Sequence, residues 1–159
     1  KSFKVLEHEN FGADKFSVYY QGRKIKYADP EGFTLLTKND YGYAKDSNHV
    51  FLETEVILKA DPQTFRVLEF PYSRDKNDVY NGTIPMNLQK EDVETFTVTN
   101  EDKLMCGTIS TMLLEYFLES NPEYSWIKEY DPDLKHVILG NWGTGKTRGR
   151  KYKGLEEIE

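Results

Sequence analysis

The residues with the clearest chemical spacing run from Gly140 to Thr147, in the stretch GNWGTGKT. Gly140, four intervening residues, then Gly145, Lys146 and Thr147 satisfy the letters of a phosphate-binding loop. In such a loop backbone N–H groups cradle the phosphates, the lysine reaches the outer phosphates and the threonine hydroxyl holds Mg²⁺. The apolar run Val137-Ile138-Leu139 ahead of it reads as a strand. The chain that follows fits poorly. A phosphate loop opens a helix whose N-terminus faces the ligand, and RGRKYKG, with two glycines, is a weak helix former. Only twelve residues of this sequence (148 to 159) follow Thr147, and the chain ahead of the loop lacks βαβ units. The stretch is therefore expected to be structural: a glycine-rich turn carrying Trp142 and the basic run Lys146, Arg148, Arg150, Lys151 and Lys153. No nucleotide or other cofactor is expected.

A second arrangement would do nucleophilic chemistry. Cys106, the one cysteine, stands near the predicted start of a helix, where the dipole favours a thiolate. His136 opens the strand HVIL, and Asn141 follows it. The order Cys, His, Asn and the context NWGTG resemble those of papain-like cysteine peptidases. Cys106, His136 and Asn141 are accordingly the catalytic candidates of an alternative, enzymatic reading. Against it, the 29 residues between Cys106 and His136 (107 to 135) read as mostly helical, where that family places sheet, and a free cysteine is commonly just buried. A third grouping, DKND, brings the oxygens of Asp75, Asn77 and Asp78 within four residues. Calcium takes six to eight oxygens, and the matching DKFS offers one carboxylate, so these residues read as turn formers and no metal is expected.

The elements that must position these residues are repeats. Phe3, Phe33, Phe65 and Phe96 stand 30, 32 and 31 residues apart. Between them, Asp14, Asp46 and Asp75 each precede a valine by four positions. Asp29, Asp61 and Asp92 each precede the closing phenylalanine by four. Every unit opens with an apolar pair and passes through an Asp/Asn turn. It then runs through VYY, VFL or VY as a strand, with QG or NG supplying a tight hairpin turn in two of them. Each unit is expected to be a β-hairpin or small meander. One hairpin cannot bury its apolar face alone, so three are expected to stack around a shared core. A fourth start, FTVTN at Phe96, is left uncompleted.

YAKDSNHVFL with KADPQTF, and YSRDKNDVYNG, closely resemble the DKNYY family of bacterial repeat proteins over residues 3–98. The second unit fits best; the first is degenerate at ADKFSVYY, and the third has Glu91-Asp92-Val93 in place of ADP. The resemblance implies a repeat fold and an envelope, periplasmic or exported setting, sometimes among toxin–immunity gene sets. It implies no reaction.

Beyond Asn100 the texture changes. Leu104, Met105, Ile109, Met112, Leu113, Tyr116 and Phe117 follow helical spacing, with Asn100 as N-cap or a later start near Thr108. NPEYSWIKEY predicts a second helix capped at Asn121 with Pro122 at its first position. The strand HVIL is expected to be the last element. The fold class is thus α+β: stacked β-hairpin or meander repeats in residues 1–98, and a helical pair with a terminal strand in residues 99–159, packed on the repeats as one unit.

The charge of −6, with 27 acidic and 21 basic residues, gives no support to nucleic-acid or anionic-membrane binding. It permits a basic protein partner, though charge of this size by itself reads as ordinary solubility. No run is long and apolar enough for a membrane-spanning helix, and any leader ahead of Lys1 would not be visible. The expected function is non-catalytic protein binding, of the kind an immunity protein exerts on a basic toxin domain, with an envelope scaffold as a further alternative. The expected contact residues are Tyr72, Asp75, Asp78 and Tyr80, in an exposed patch over residues 69–82, together with Trp142. The opposing reading places Tyr72 and Tyr80 in the core.

Overall fold

The computed structural model describes residues 3–6, 10–37 and 41–159. The first unit is a four-stranded antiparallel meander, β1 (Lys4–Val5), β2 (Phe11–Ala13), β3 (Val18–Tyr20) and β4 (Arg23–Lys24). The second repeats it as β5 (Thr34–Leu35), β6 (Tyr43–Lys45), β7 (Val50–Leu52) and β8 (Glu55–Val56). The third repeats it again as β9 (Arg66–Val67), β10 (Tyr72–Arg74), β11 (Val79–Asn81) and β12 (Ile84–Pro85). Helix α1 (Lys90–Thr95) then leads to β13 (Thr97–Val98). The expected repeats are present, each a full meander.

One rule of packing explains the phenylalanine spacing. In each unit a small residue of the second strand pairs with an aromatic residue of the third: Gly12 with Tyr19, Ala44 with Phe51, Ser73 with Tyr80. The bounding phenylalanine stands against that aromatic ring and against a ring of the unit before. Phe33 lies 6.1 Å from Phe51 and 5.9 Å from Phe11. Phe65 lies 6.3 Å from Tyr80 and 6.2 Å from Tyr43. Strands of two or three residues bury little by themselves, so these rings, shared between neighbours, supply the cohesion.

The repeated aspartate is a second staple. Asp75 Oδ1 accepts the N–H groups of Asn77 (2.7 Å) and Asp78 (2.9 Å), holding its own turn. Its Oδ2 accepts the N–H of Asp61 (2.7 Å), which belongs to the unit before. Asp46 does the same, with Asn48 and His49 on Oδ1 and Asp29 N–H on Oδ2. Both carboxylates are buried, and the amides satisfy them.

The uncompleted fourth unit is completed, far downstream. β13 pairs with β16 (Thr144–Thr147), which continues into β17 (Arg150–Lys153) and β18 (Glu156–Ile158). The same rule holds: Gly145 pairs with Tyr152, and Phe96 lies 6.2 Å from Tyr152 and 5.1 Å from Tyr72. The aspartate turn is replaced by the two-residue hairpin Arg148-Gly149, both at positive φ. The staple is inverted: Asp92 of the preceding unit supplies the buried carboxylate, and Arg150 reaches it.

Between β13 and β16 the chain leaves the stack. It forms β14 (Ser110–Leu113), α2 (Leu114–Ser120), a 3-10 turn (Pro122–Tyr124), α3 (Ile127–Tyr130) and β15 (His136–Leu139), with β14 paired to β15. This insertion runs along the stack as a strap. Thr83 N–H donates to Ile138 O (2.9 Å), Asn81 exchanges two bonds with Gly140, and Tyr124 OH donates to Pro85 O (2.7 Å). Lys59 of the second unit stands 4.0 Å over the Trp126 ring, and Tyr27 OH of the first reaches Asp131 (3.0 Å).

Four expectations for the C-terminal third are corrected. The helix expected from Asn100, or from near Thr108, is a helix only from Leu114 to Ser120; Ser110–Leu113 are instead drawn into β14 by pairing with β15. Asn100 caps nothing: at φ 43° its amide donates to Phe70 O (2.9 Å) and its Oδ1 accepts Thr144 N–H (3.2 Å). The helix expected from Asn121 shrinks to a 3-10 turn and one turn of α3. HVIL is not the last element, since three strands follow it.

Candidate functional site

The glycines of GNWGTGKT serve packing. A Cβ on Gly145 would overlap the Phe96 ring, and one on Gly140 or Gly143 would overlap Pro71. The residues are small so that the third unit can approach the fourth. Lys146 and Thr147 are strand residues of β16, between β13 and β17, and no helix opens after them. The Thr147 hydroxyl is shared with Thr95 (2.6 Å) and donates to Asp92 O (3.0 Å). Amides laddered on both sides of β16 do not form a cradle open to phosphate.

The Cys106, His136 and Asn141 candidates are spread over two ends of a ladder. His136 pairs with Leu113 at one end of β14–β15, and Ser110 pairs with Leu139 at the other. Three strand steps separate these ends, about 10 Å. Cys106 precedes Ser110, its Sγ 4.0 Å from Lys103 O, and Asn141 follows Leu139. His136 instead lines a cleft with Arg23, Tyr27 and Glu55. Burial pushes the Glu55 carboxyl above its usual range, against the nearby His136, Arg23 and Lys26.

The patch expected to be exposed over residues 69–82 is corrected. Tyr72 (0%), Asp75 (2%), Asp78 (8%) and Tyr80 (1%) are all buried. Tyr80 OH donates to Asp75 Oδ2 (2.7 Å), and Tyr72 OH lies within bonding distance of Gly143 O and Gly154 O. Asp78 accepts N–H groups from Val79, Asn87 and Leu88, while burial pushes its carboxyl up. Tyr72, Asp75 and Tyr80 couple the third unit to its neighbours, Asp78 bonds within it, and all four are buried. The core alternative for the two tyrosines is the one the fold adopts.

What remains on the surface is Trp142, 37% exposed, with Lys153 Nζ 4.4 Å over its ring. It adjoins a groove of about 400 Å³ between the strap and the fourth sheet, whose wall includes Asn141 and Lys153. Met112 and Tyr116 come from β14 and α2, Leu139 from β15, and Leu155 and Ile158 from the end of the meander. Tyr116 and Ile158 are 64% and 39% exposed. Glu119, Glu156, Glu157 and Glu159 are exposed on α2, on β18 and just beyond it. The groove was hidden in the sequence because its two walls come from different structural units. Its one local trace is KGLEEI, whose Gly154 turns at positive φ as Gly22 and Gly82 do in the earlier meanders.

Among the described residues no helix is long and apolar enough to cross a membrane. No curated protein and no solved structure matches the chain. The model of the DKNYY family matches residues 1–114, which hold the three complete meanders, β13 and the start of the strap. With three stapled meanders and that match over most of its length, the chain belongs to the DKNYY family.

Proposed function

We propose that the chain is a non-catalytic protein-binding module for a basic partner, of the immunity-protein type, and that the groove beside Trp142 is its contact surface. The observation that carries this reading is the groove's make-up: exposed aromatic and aliphatic side chains from two structural units, with Glu156 and Lys153 in its wall, on a chain of net charge −6. Exposed aromatic rings are the anchors from which interfaces draw most of their energy. A chain of net negative charge steers and selects an oppositely charged partner. The separation of Cys106 from His136 along the β14–β15 ladder leaves the groove without a nucleophile and base in reach of each other.

The test is a titration of the purified chain with the product of the gene beside its own, at low and high salt. A saturable complex is expected, weakened by salt, with Trp142→Ala and Tyr116→Ala each raising Kd at least about tenfold, roughly 1.4 kcal/mol. No complex, or one indifferent to salt and to both substitutions, removes the reading.

A further inference from the structure

The groove reading leaves open what shape of partner it takes, and β18 decides it. β18 is the outermost strand of its sheet, in the order β13-β16-β17-β18. Its partner on one side is β17, with Lys151 opposite Ile158, Tyr152 opposite Glu157 and Lys153 opposite Glu156. The other side of an edge strand presents a row of backbone N–H and C=O groups, which is a template for one more strand. This strand contributes Glu156 and Ile158 to the groove, which Tyr116 of α2 also lines. An added strand projects alternate side chains to opposite faces, so every second residue of a peptide lying on β18 would enter the groove.

The charges say which strand. The edge reads Glu156-Glu157-Ile158-Glu159, all exposed. A second copy of this chain docking edge to edge would set glutamates against glutamates, and like charges across a ladder are destabilising. A strand alternating apolar residues with lysine or arginine would place its apolar residues on the groove face, with Ile158, Glu156 and Tyr116, and its cations on the other face, toward Glu157 and Glu159. The arrangement thus rejects self-pairing and accepts a basic partner, which is how specificity is built.

Resting on the protein-binding reading above, we propose that β18 receives an extended segment of a basic partner by strand addition, with alternating apolar and cationic side chains. The partner's main chain completes a fifth strand of the last meander, and its apolar residues fill the groove.

The experiment uses the full chain and a ten-residue fluorescent peptide of alternating valine and lysine. Anisotropy reports binding, and hydrogen exchange reports protection of the Glu156–Ile158 amides. Three comparisons accompany it: the peptide with every second amide nitrogen methylated, the peptide with glutamate for lysine, and the protein variant Glu156→Lys with Glu157→Lys. The expected result is saturable binding, slowed exchange at Glu156–Ile158, and a loss of at least tenfold in each comparison. If the lysine peptide binds and the charge reversals weaken it, while methylation and β18 exchange are neutral, the groove binds basic partners by another shape. That outcome overturns strand addition and leaves the protein-binding reading standing. If the peptide does not bind, strand addition fails, and the neighbouring-gene titration with Trp142→Ala and Tyr116→Ala then decides the broader reading by itself.

Discussion

Gly145 carries the letters of a nucleotide site and the burden of a packing contact. Its missing Cβ is the space that Phe96 fills. Gly145→Ala should therefore destabilise the fold by about 1–3 kcal/mol, the cost of overpacking a filled site. Lys146→Ala, on an exposed strand position, should change stability by less than about 0.5 kcal/mol. Urea unfolding measures both, and Mg²⁺-ATP should leave Tm unchanged in the wild type. Glu55 supports a second prediction at this scale. Its carboxyl is held above the usual range chiefly by burial, so the folded state binds its proton more tightly than the unfolded state does. From the ordinary glutamate range up through the raised value, stability should fall as pH rises, and the loss should be complete above it. Burial pushes Glu53 in the same direction. Glu55→Gln should flatten the slope of unfolding free energy against pH, read from urea curves at stepped pH.

The element that matters is the junction between meanders. At the second-to-third junction two devices coincide: Phe65 between Tyr43 and Tyr80, and Asp75 holding the N–H of Asp61. Phe65→Ala should cost about 3–5 kcal/mol, as large-to-small changes at buried rings do. Asp75→Ala leaves three amides and the Tyr80 hydroxyl without their acceptor. It should cost about 3 kcal/mol, since bonds to a charged acceptor contribute about 1.5–3 kcal/mol and buried donors left unmade add to the loss. Equilibrium denaturation of the two variants checks both figures. The junction devices were half visible before the structure: the phenylalanine and aspartate periods are in the sequence. Their purpose was not, because the rings and amides they meet belong to the neighbouring unit.

Across the whole molecule, the strap turns a linear stack into one body. Repeat arrays whose units touch only their neighbours tend to lose cooperativity. Here residues 99–143 bond to all three complete units, at Tyr27, Lys59, Asn81, Thr83 and Pro85. Both tryptophans lie in the strap, whereas backbone circular dichroism reports mainly the meanders. The two signals should fall together in urea. Asn81→Ala, which removes both bonds to Gly140, should lower the common midpoint by the equivalent of about 1–3 kcal/mol. Tryptophan fluorescence changing well before the backbone signal in the wild type would show the strap to be a separate unit.

By itself the sequence determined what is periodic: the repeat length, the turn residues, the alternation of apolar strands and the family resemblance. Those signals are local, set by backbone preferences within a few residues, and they survive in the letters. The tertiary structure decided everything that depends on distant segments meeting. It closed the fourth meander across the strap and drew Ser110–Leu113 into a strand by giving it β15 as a partner. It buried Tyr72, Asp75, Asp78 and Tyr80 under neighbouring units, and moved the exposed aromatic surface to the groove beside Trp142. Propensity ranks the choices of a segment in isolation; burial against a partner from elsewhere in the chain outweighs it, and that partner has no signature at the segment itself.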